Sequence, residues 1–203
     1  MGNEAFFMEQ MILIGATGRN RGKTVLAEGL IRLFKDRFPI IGLKVTTVAY
    51  SGAPCHCGDL GCGLCSSLSS YALDEERAPD PNSPDCMGKD TARMLQAGAE
   101  RVYWLRSVKA SMVEGFSEFL KRMPPSALVI GESNSLREVV WPGCFIMVSN
   151  GPGEYIKPSA ARVADLAQLT LTSPITGDML QRLMRRIIVD RTANGQVRVK
   201  FAG

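Results

Sequence analysis

A four-residue apolar run, Met11-Ile12-Leu13-Ile14, leads directly into a glycine-containing turn, Gly15 to Gly22, and then into Lys23-Thr24. The run reads as a short buried strand. After Thr24, apolar residues recur at Val25, Leu26, Leu30, Ile31 and Phe34, the spacing of an amphipathic helix. Strand, glycine turn and helix in that order make a βα unit. Its chemistry follows from its geometry. Glycines let backbone N–H groups turn inward around an anion, and a helix N-terminus adds unsatisfied donors and the positive end of its dipole. Lys23 can reach the β- and γ-phosphates of a nucleotide, and the Thr24 hydroxyl can hold Mg²⁺. The residues expected around the phosphates are Thr17, Gly18, Arg19, Asn20, Arg21, Gly22, Lys23, Thr24 and Val25. The strict motif has glycine five residues before Gly22; Thr17 stands there, with Gly18 one step on. Arg19 and Arg21 are additional charges available to phosphate, to an acidic partner or to solvent.

The rest of the chain alternates in the same way. Strands are predicted at residues 40–47, 101–105, 127–130, 144–148 and 169–171, with a last one at 196–201 after an Asn194-Gly195 turn. Helices are predicted at residues 91–97, 110–123, 159–167 and 178–188. The expected fold is therefore α/β, a mostly parallel sheet covered by helices on both faces. The 203 residues suffice for a single domain. From residue 50 to 88 periodicity gives way to Gly, Pro, Ser, Asp and Cys. This stretch reads as a Cys-rich insertion within the domain.

A phosphate-binding loop needs a carboxylate to hold Mg²⁺, and Glu132 is the first choice. It follows the apolar strand at 127–130 by one glycine, so it belongs at the carboxyl edge of the sheet, where α/β proteins bind ligands. Asp90 is read as the cap of the following helix, with a second role at the site as the alternative. Lys44, in an otherwise apolar strand, is either a snorkelling strand-end residue or a second phosphate contact. Asn150, ending the strand at 144–148, is the nearest candidate for a base contact. With His56 as the only histidine, no Ser-His-Asp or Cys-His arrangement is available outside the insertion. The reaction expected is phosphoryl transfer or nucleotide hydrolysis carried by Lys23, Glu132 and Asp90 together with Mg²⁺.

Five of the six cysteines lie between Cys55 and Cys86. Cys55, Cys57, Cys62 and Cys65 have the spacing C-x-C-x₄-C-x₂-C, which can close around one zinc ion or an iron–sulfur cluster. Cys86 or His56 can replace one ligand; the alternative is a loop of reduced thiols. Cys144 reads as a small core residue. A formal charge of +4 without a long basic run does not imply nucleic-acid binding. No apolar stretch approaches a membrane span, and the acidic N-terminus lacks the charge pattern of a secretory signal. A cytoplasmic location is expected.

The residues that carry these readings also carry a resemblance. The loop ending Gly22-Lys23-Thr24, the strand end Leu43-Lys44-Val45-Thr46, the stretch from Gly88-Lys89-Asp90-Thr91 to Gln96-Ala97-Gly98-Ala99, and Val129–Glu132 resemble the molybdopterin-guanine dinucleotide biosynthesis adapter family. These are small P-loop proteins of the same broad class as dethiobiotin synthetase. The resemblance implies a three-layer P-loop NTPase fold, binding of GTP (or ATP) with Mg²⁺, slow GTPase activity, a homodimer, and assistance to a nucleotidyltransferase or another metalloenzyme client. Carried over by position, Gly22, Lys23 and Thr24 would bind phosphate and Mg²⁺, and Glu132 would serve the metal. Two positions depart from the family: Gly131-Glu132-Ser133-Asn134 replaces Val-Glu-Gly, and Val45 and Thr47 replace strand-end histidines. The cysteine insertion is extra. The alternatives from other classes are a small-molecule kinase or ATP-dependent ligase like dethiobiotin synthetase, and a non-enzymatic metal- or redox-responsive nucleotide-binding module.

Overall fold

In the computed structural model, which describes residues 6–48, 69–76 and 90–202, the apolar run at Met11 is the middle of a longer strand, β1 (Phe6–Ala16). The chain continues through α1 (Lys23–Phe34), β2 (Ile40–Val48), β3 (Tyr71–Glu76), α2 (Asp90–Ala97), β4 (Arg101–Val108), α3 (Met112–Leu120), β5 (Leu128–Glu132) and β6 (Val140–Ser149). It ends with α4 (Pro158–Ala161), β7 (Leu169–Thr172), α5 (Gly177–Arg186), β8 (Ile187–Arg191) and β9 (Val197–Phe201). Seven strands form one sheet in the order β3-β4-β2-β5-β1-β6-β7. All its pairings are parallel except β3 with β4.

Both faces of this sheet are covered, which is why its strands read as continuous apolar runs rather than as alternating ones. Ile12 and Ile14 of β1 pack with Leu26, Leu30 and Phe34 of α1, with Met94 of α2 and with the β8–β9 hairpin. Met11 and Leu13, pointing the other way, pack with Phe116 and Phe119 of α3 and with Leu136. Close approach is enforced at one point. A β-carbon on Gly143 of β6 would fall against the Glu9 carbonyl oxygen and within 2.6 Å of the Val199 carbonyl oxygen. Only glycine lets β6 pass there, beside the register shift between Met8 and Ile12 of β1.

The structure differs from the sequence reading at several elements. Tyr71–Glu76, read as part of the insertion, is an antiparallel edge strand; Leu73 faces Leu105, and Asp74 pairs with Arg106. β6 begins at Val140, four residues before the predicted start, because Val140 pairs with Phe6 of the extended β1. The helix predicted at 159–167 is one turn, α4, followed by a 3-10 turn over Ala164–Leu166; Val163, at φ −130°, leaves helical geometry between them. Ile187 and Ile188 leave α5 for β8, since Ile187 and Val189 are buried against the core with Val197 and Val199. β9 pairs only with β8 in a separate two-stranded sheet, not at the edge of the main one.

The topology marks one place on the sheet. β1 leaves its carboxyl edge towards α1 on one face; the neighbouring β5 leaves towards the 3-10 turn Ser135–Glu138 on the other. Neighbouring strands whose connections part to opposite faces open a crevice between them.

Candidate functional site

The crevice is floored by the turn between β1 and α1. The Asn134 side chain, just past β5, brackets the end of β1: its Oδ1 accepts from the Ala16 N–H at 2.8 Å and its Nδ2 donates to the Ala16 carbonyl at 2.9 Å. Thr17 is buried, donates its N–H to Val148 O at 2.9 Å, and sets its hydroxyl 2.5 Å from Glu154 Oε1. Thus the residue that departs from the glycine motif is used to tie the turn to the segment after β6. Arg21 folds back over Gly18, with Nε 3.4 Å from Glu154 Oε2. Asn20 (φ 53°) and Gly22 (φ 90°) take left-handed backbone and swing the chain into α1. Its N-cap, Gly22, makes no side-chain cap, so among the described residues the first N–H groups of α1 are left uncapped at the cleft. The cleft holds about 290 Å³ and is lined by Asn20 to Val25 with Asp90 and Arg93.

Behind the loop three charged side chains, Lys44, Asp90 and Glu132, cluster beside Thr24. Lys44 and Glu132 are register partners on adjacent strands and point to the α1 side of the sheet. Asp90 opens α2. Thr24 Oγ1 lies 2.8 Å from Asp90 Oδ1 and 3.3 Å from Glu132 Oε2, with one proton to donate between them. The Lys44 ammonium donates to Asp90 Oδ2, and to Glu132 Oε2 at 3.3 Å. Asp90 is therefore more than a helix cap: its carboxylate is a member of the cluster. Lys44 is not a snorkelling strand end, since it is drawn inward by the two carboxylates. Glu132 is fully buried at its side chain, and its second oxygen, Oε1, has no hydrogen-bond partner among the described residues.

Burial and charge act against each other here. Burial pushes the Glu132 carboxyl above the ordinary carboxylate range, opposed by Lys44 and Lys23 and reinforced by Asp90. Burial also works to lower Lys44, but Glu132 and Asp90 outweigh it and hold the ammonium above the usual lysine value. Asp90 is held low: Lys44 and Thr24 outweigh its partial burial. Lys23 is lowered, chiefly by burial and also by Lys44.

Lys23, Thr24, Lys44, Asp90 and Glu132 are thus brought together, and Gly22 and Val25 line the same cleft. Arg19 and Asn20 are exposed on the loop. Asn150 stands apart from this cluster, its backbone N–H held by Glu154 Oε1 at 2.9 Å. It adjoins a second hollow of about 320 Å³, lined by Thr17, Ser149, Gly151, Glu154, Ile156 and Asp165 among others. Three further residues of the site were not selected from the sequence: Asn134, Glu154 and Lys157. Lys157 donates its backbone N–H to Thr17 O at 2.9 Å. The only sequence signal for the three was position, just beyond the carboxyl ends of β5 and β6. A larger hollow of about 380 Å³ lies at the opposite edge of the sheet, between Pro39, Arg101 and Met123; nothing comparable to the Thr24 cluster lines it.

Cys55, His56, Cys57, Cys62, Cys65 and Cys86 lie outside the described residues. Among the described residues no three His, Cys, Asp or Glu side chains converge as a metal-binding group. Cys144 is buried, and burial pushes its thiol up to about 12, so it is an inert core residue. No described helix is long and apolar enough to cross a membrane. Compared with family models, curated proteins and solved structures, the chain matches none.

Proposed function

We propose that this chain is a P-loop NTPase that binds a nucleoside triphosphate with Mg²⁺, GTP in preference, and hydrolyses it slowly as an accessory factor in molybdenum-cofactor or related metallocofactor assembly. One observation carries the nucleotide part: a fully buried carboxylate, Glu132, keeps one oxygen without a partner among the described residues, beside the Thr24 hydroxyl, Asp90 and the start of α1. An ionised oxygen buried in that state is costly unless a cation completes it. The donor set fits Mg²⁺, which takes hard oxygen ligands from one or two carboxylates and leaves its other positions to phosphate oxygens and water. Thr24, Asp90 and Glu132 are the residues that would hold it. When bound, Mg²⁺ supplies charge neutralisation on the β- and γ-phosphate oxygens.

This chain's own groups do the remainder by position. Uncapped N–H groups of α1 and the turned backbone from Gly18 to Gly22 face the phosphates. Lys23, half-buried and paired with no carboxylate among the described residues, meets negative charge as it develops between the β- and γ-phosphates. Lys44 holds Asp90 ionised and fixes both carboxylates in place. The hollow beside Thr17 and Ser149 offers room for the base, next to Asn150. The accessory role rests on the resemblance given above.

Calorimetric titration of the parent and of Lys23→Ala with Mg·GTP and Mg·ATP tests the reading. Loss of a charge-assisted contact should weaken binding by about 1.5–3 kcal/mol, roughly ten- to a hundredfold. A parent that binds neither nucleotide, or a variant that binds both as the parent does, refutes it.

A further inference from the structure

We propose that Lys157 is a further phosphate-holding residue of this site, its ammonium contacting the anion cradled by the turn between β1 and α1. The inference rests on the nucleotide reading above and extends it to a residue on the far side of the loop.

The backbone around Lys157 is fixed to the loop. Its N–H donates to the Thr17 carbonyl at 2.9 Å, while its own carbonyl accepts from Ala160 N and Ala161 N at 2.8 and 3.1 Å, the start of α4. Thr17 is itself held from the other side by Val148 and Glu154. The root of the Lys157 side chain therefore cannot drift away from the turn that would carry the phosphates.

Its charge has no counterpart among the described residues. Three other basic residues of the site are paired: Lys44 with Asp90 and Glu132, Arg21 with Glu154, and Arg93 with Glu28. Lys157 is half-buried, and no described carboxylate pairs with it. The charges that act on it are Lys23 on α1, Arg19 on the loop and Lys44 on β2, all positive. Burial, then these three cations, push its ammonium down to about 8. A lysine held among cations is unfavourable unless an anion completes the group.

The lowered value gives the site a signature. Near pH 7 Lys157 is mostly charged, and near pH 9 it is mostly neutral. A bound anion reverses the local field and restores the proton, so binding at pH 8–9 takes up protons. Lys23 is also lowered and contributes to the same slope, so the variants must separate the two.

The test is calorimetry with inorganic tripolyphosphate and Mg²⁺ at pH 7 and pH 9, in two buffers of different ionisation enthalpy. The expected result for Lys157→Met is roughly tenfold weaker binding at pH 7, a smaller loss of affinity between pH 7 and 9 than in the parent, and less proton uptake. Lys157→Arg should keep its affinity at pH 9. Without ligand, Lys157→Met should melt at or above the parent temperature, since it removes repulsion; a structural lysine would lower it. If Lys23→Ala weakens tripolyphosphate binding but Lys157→Met binds as the parent with the same pH slope, the inference fails and the nucleotide reading stands. If the parent binds neither tripolyphosphate nor nucleotide, both fail.

Discussion

Replacing Lys44 by Met removes the cation shared by two carboxylates. The Glu132 side chain is 0% exposed, against 36% for Asp90. Asp90 can recover water, so its loss is small. Glu132 cannot, and it keeps only a share of the Thr24 hydroxyl. Breaking a buried pair by deleting one partner costs about 3–5 kcal/mol; protonation of Glu132 relieves part of that, leaving about 2–3 kcal/mol at neutral pH. For a domain of this size that lowers Tm by about 4–12 °C. The pH dependence has a definite sign. The Glu132 carboxyl is already raised in the folded state, and without Lys44 it rises further. A raised carboxyl stabilises below its unfolded value and loses that contribution as pH climbs through its folded value. The deficit of Lys44→Met should therefore be small near pH 4.5 and grow towards pH 7.5. Urea denaturation at both pH values, followed by circular dichroism, measures it, and the Lys44→Met/Glu132→Gln double variant should recover most of the loss. An equal deficit at both pH values, or a double variant that loses the sum of the single losses, would show that the cluster is not coupled as described.

Glu132→Gln alone should keep the fold and lose Mg²⁺-dependent nucleotide hydrolysis, measured by phosphate release; unchanged turnover would move the metal role to Asp90 or elsewhere. Gly143→Ala should cost about 1–3 kcal/mol in urea denaturation, because the two oxygens it would meet belong to backbone; a variant as stable as the parent would mean that β6 and the hairpin can separate freely. Anaerobically purified protein should carry one zinc or iron–sulfur centre, lost in Cys62→Ser/Cys65→Ser, by elemental analysis and ultraviolet–visible spectra. Sub-stoichiometric metal in the parent with no spectral difference would leave free thiols.

The parallel sheet and the βα unit at Met11–Phe34 were legible because apolar runs bounded by glycine and proline mark buried strands, and helical spacing between them marks the crossovers. Glu132 was legible for the same reason: a carboxylate one residue past such a run sits at a strand's carboxyl edge. β3 was not, since Tyr71-Ala72-Leu73-Asp74-Glu75-Glu76 gains its pairing from Leu105 and Arg106 of β4, partners that local pattern cannot show. Ile187 and Ile188 continue the helical pattern of α5, and only burial of Ile187 against the core turns them into a strand. Asp90 looked like a cap because a sequence displays the neighbours of a residue along the chain and not the lysine on another strand. Lys157 and Glu154 lie in a Gly-Pro segment with no period, and their role depends on contact with Thr17, far away along the chain.

β1 bears a consequence for how the protein is made. It is made before the strands it pairs with, β5 and β6: Met11 waits for Val129, and Ile12 for both Ile130 and Cys144. At cellular rates of synthesis that interval is roughly ten seconds. Throughout it, an apolar strand with two open edges is exposed to other nascent chains. The turn after β1 shares the delay, because Asn134 and Val148, which pin it, are also made late. Assembly of the turn beside Thr24 is thus a late event of biogenesis, and a chaperone that shields β1 until β5 and β6 are made would raise the yield of folded protein.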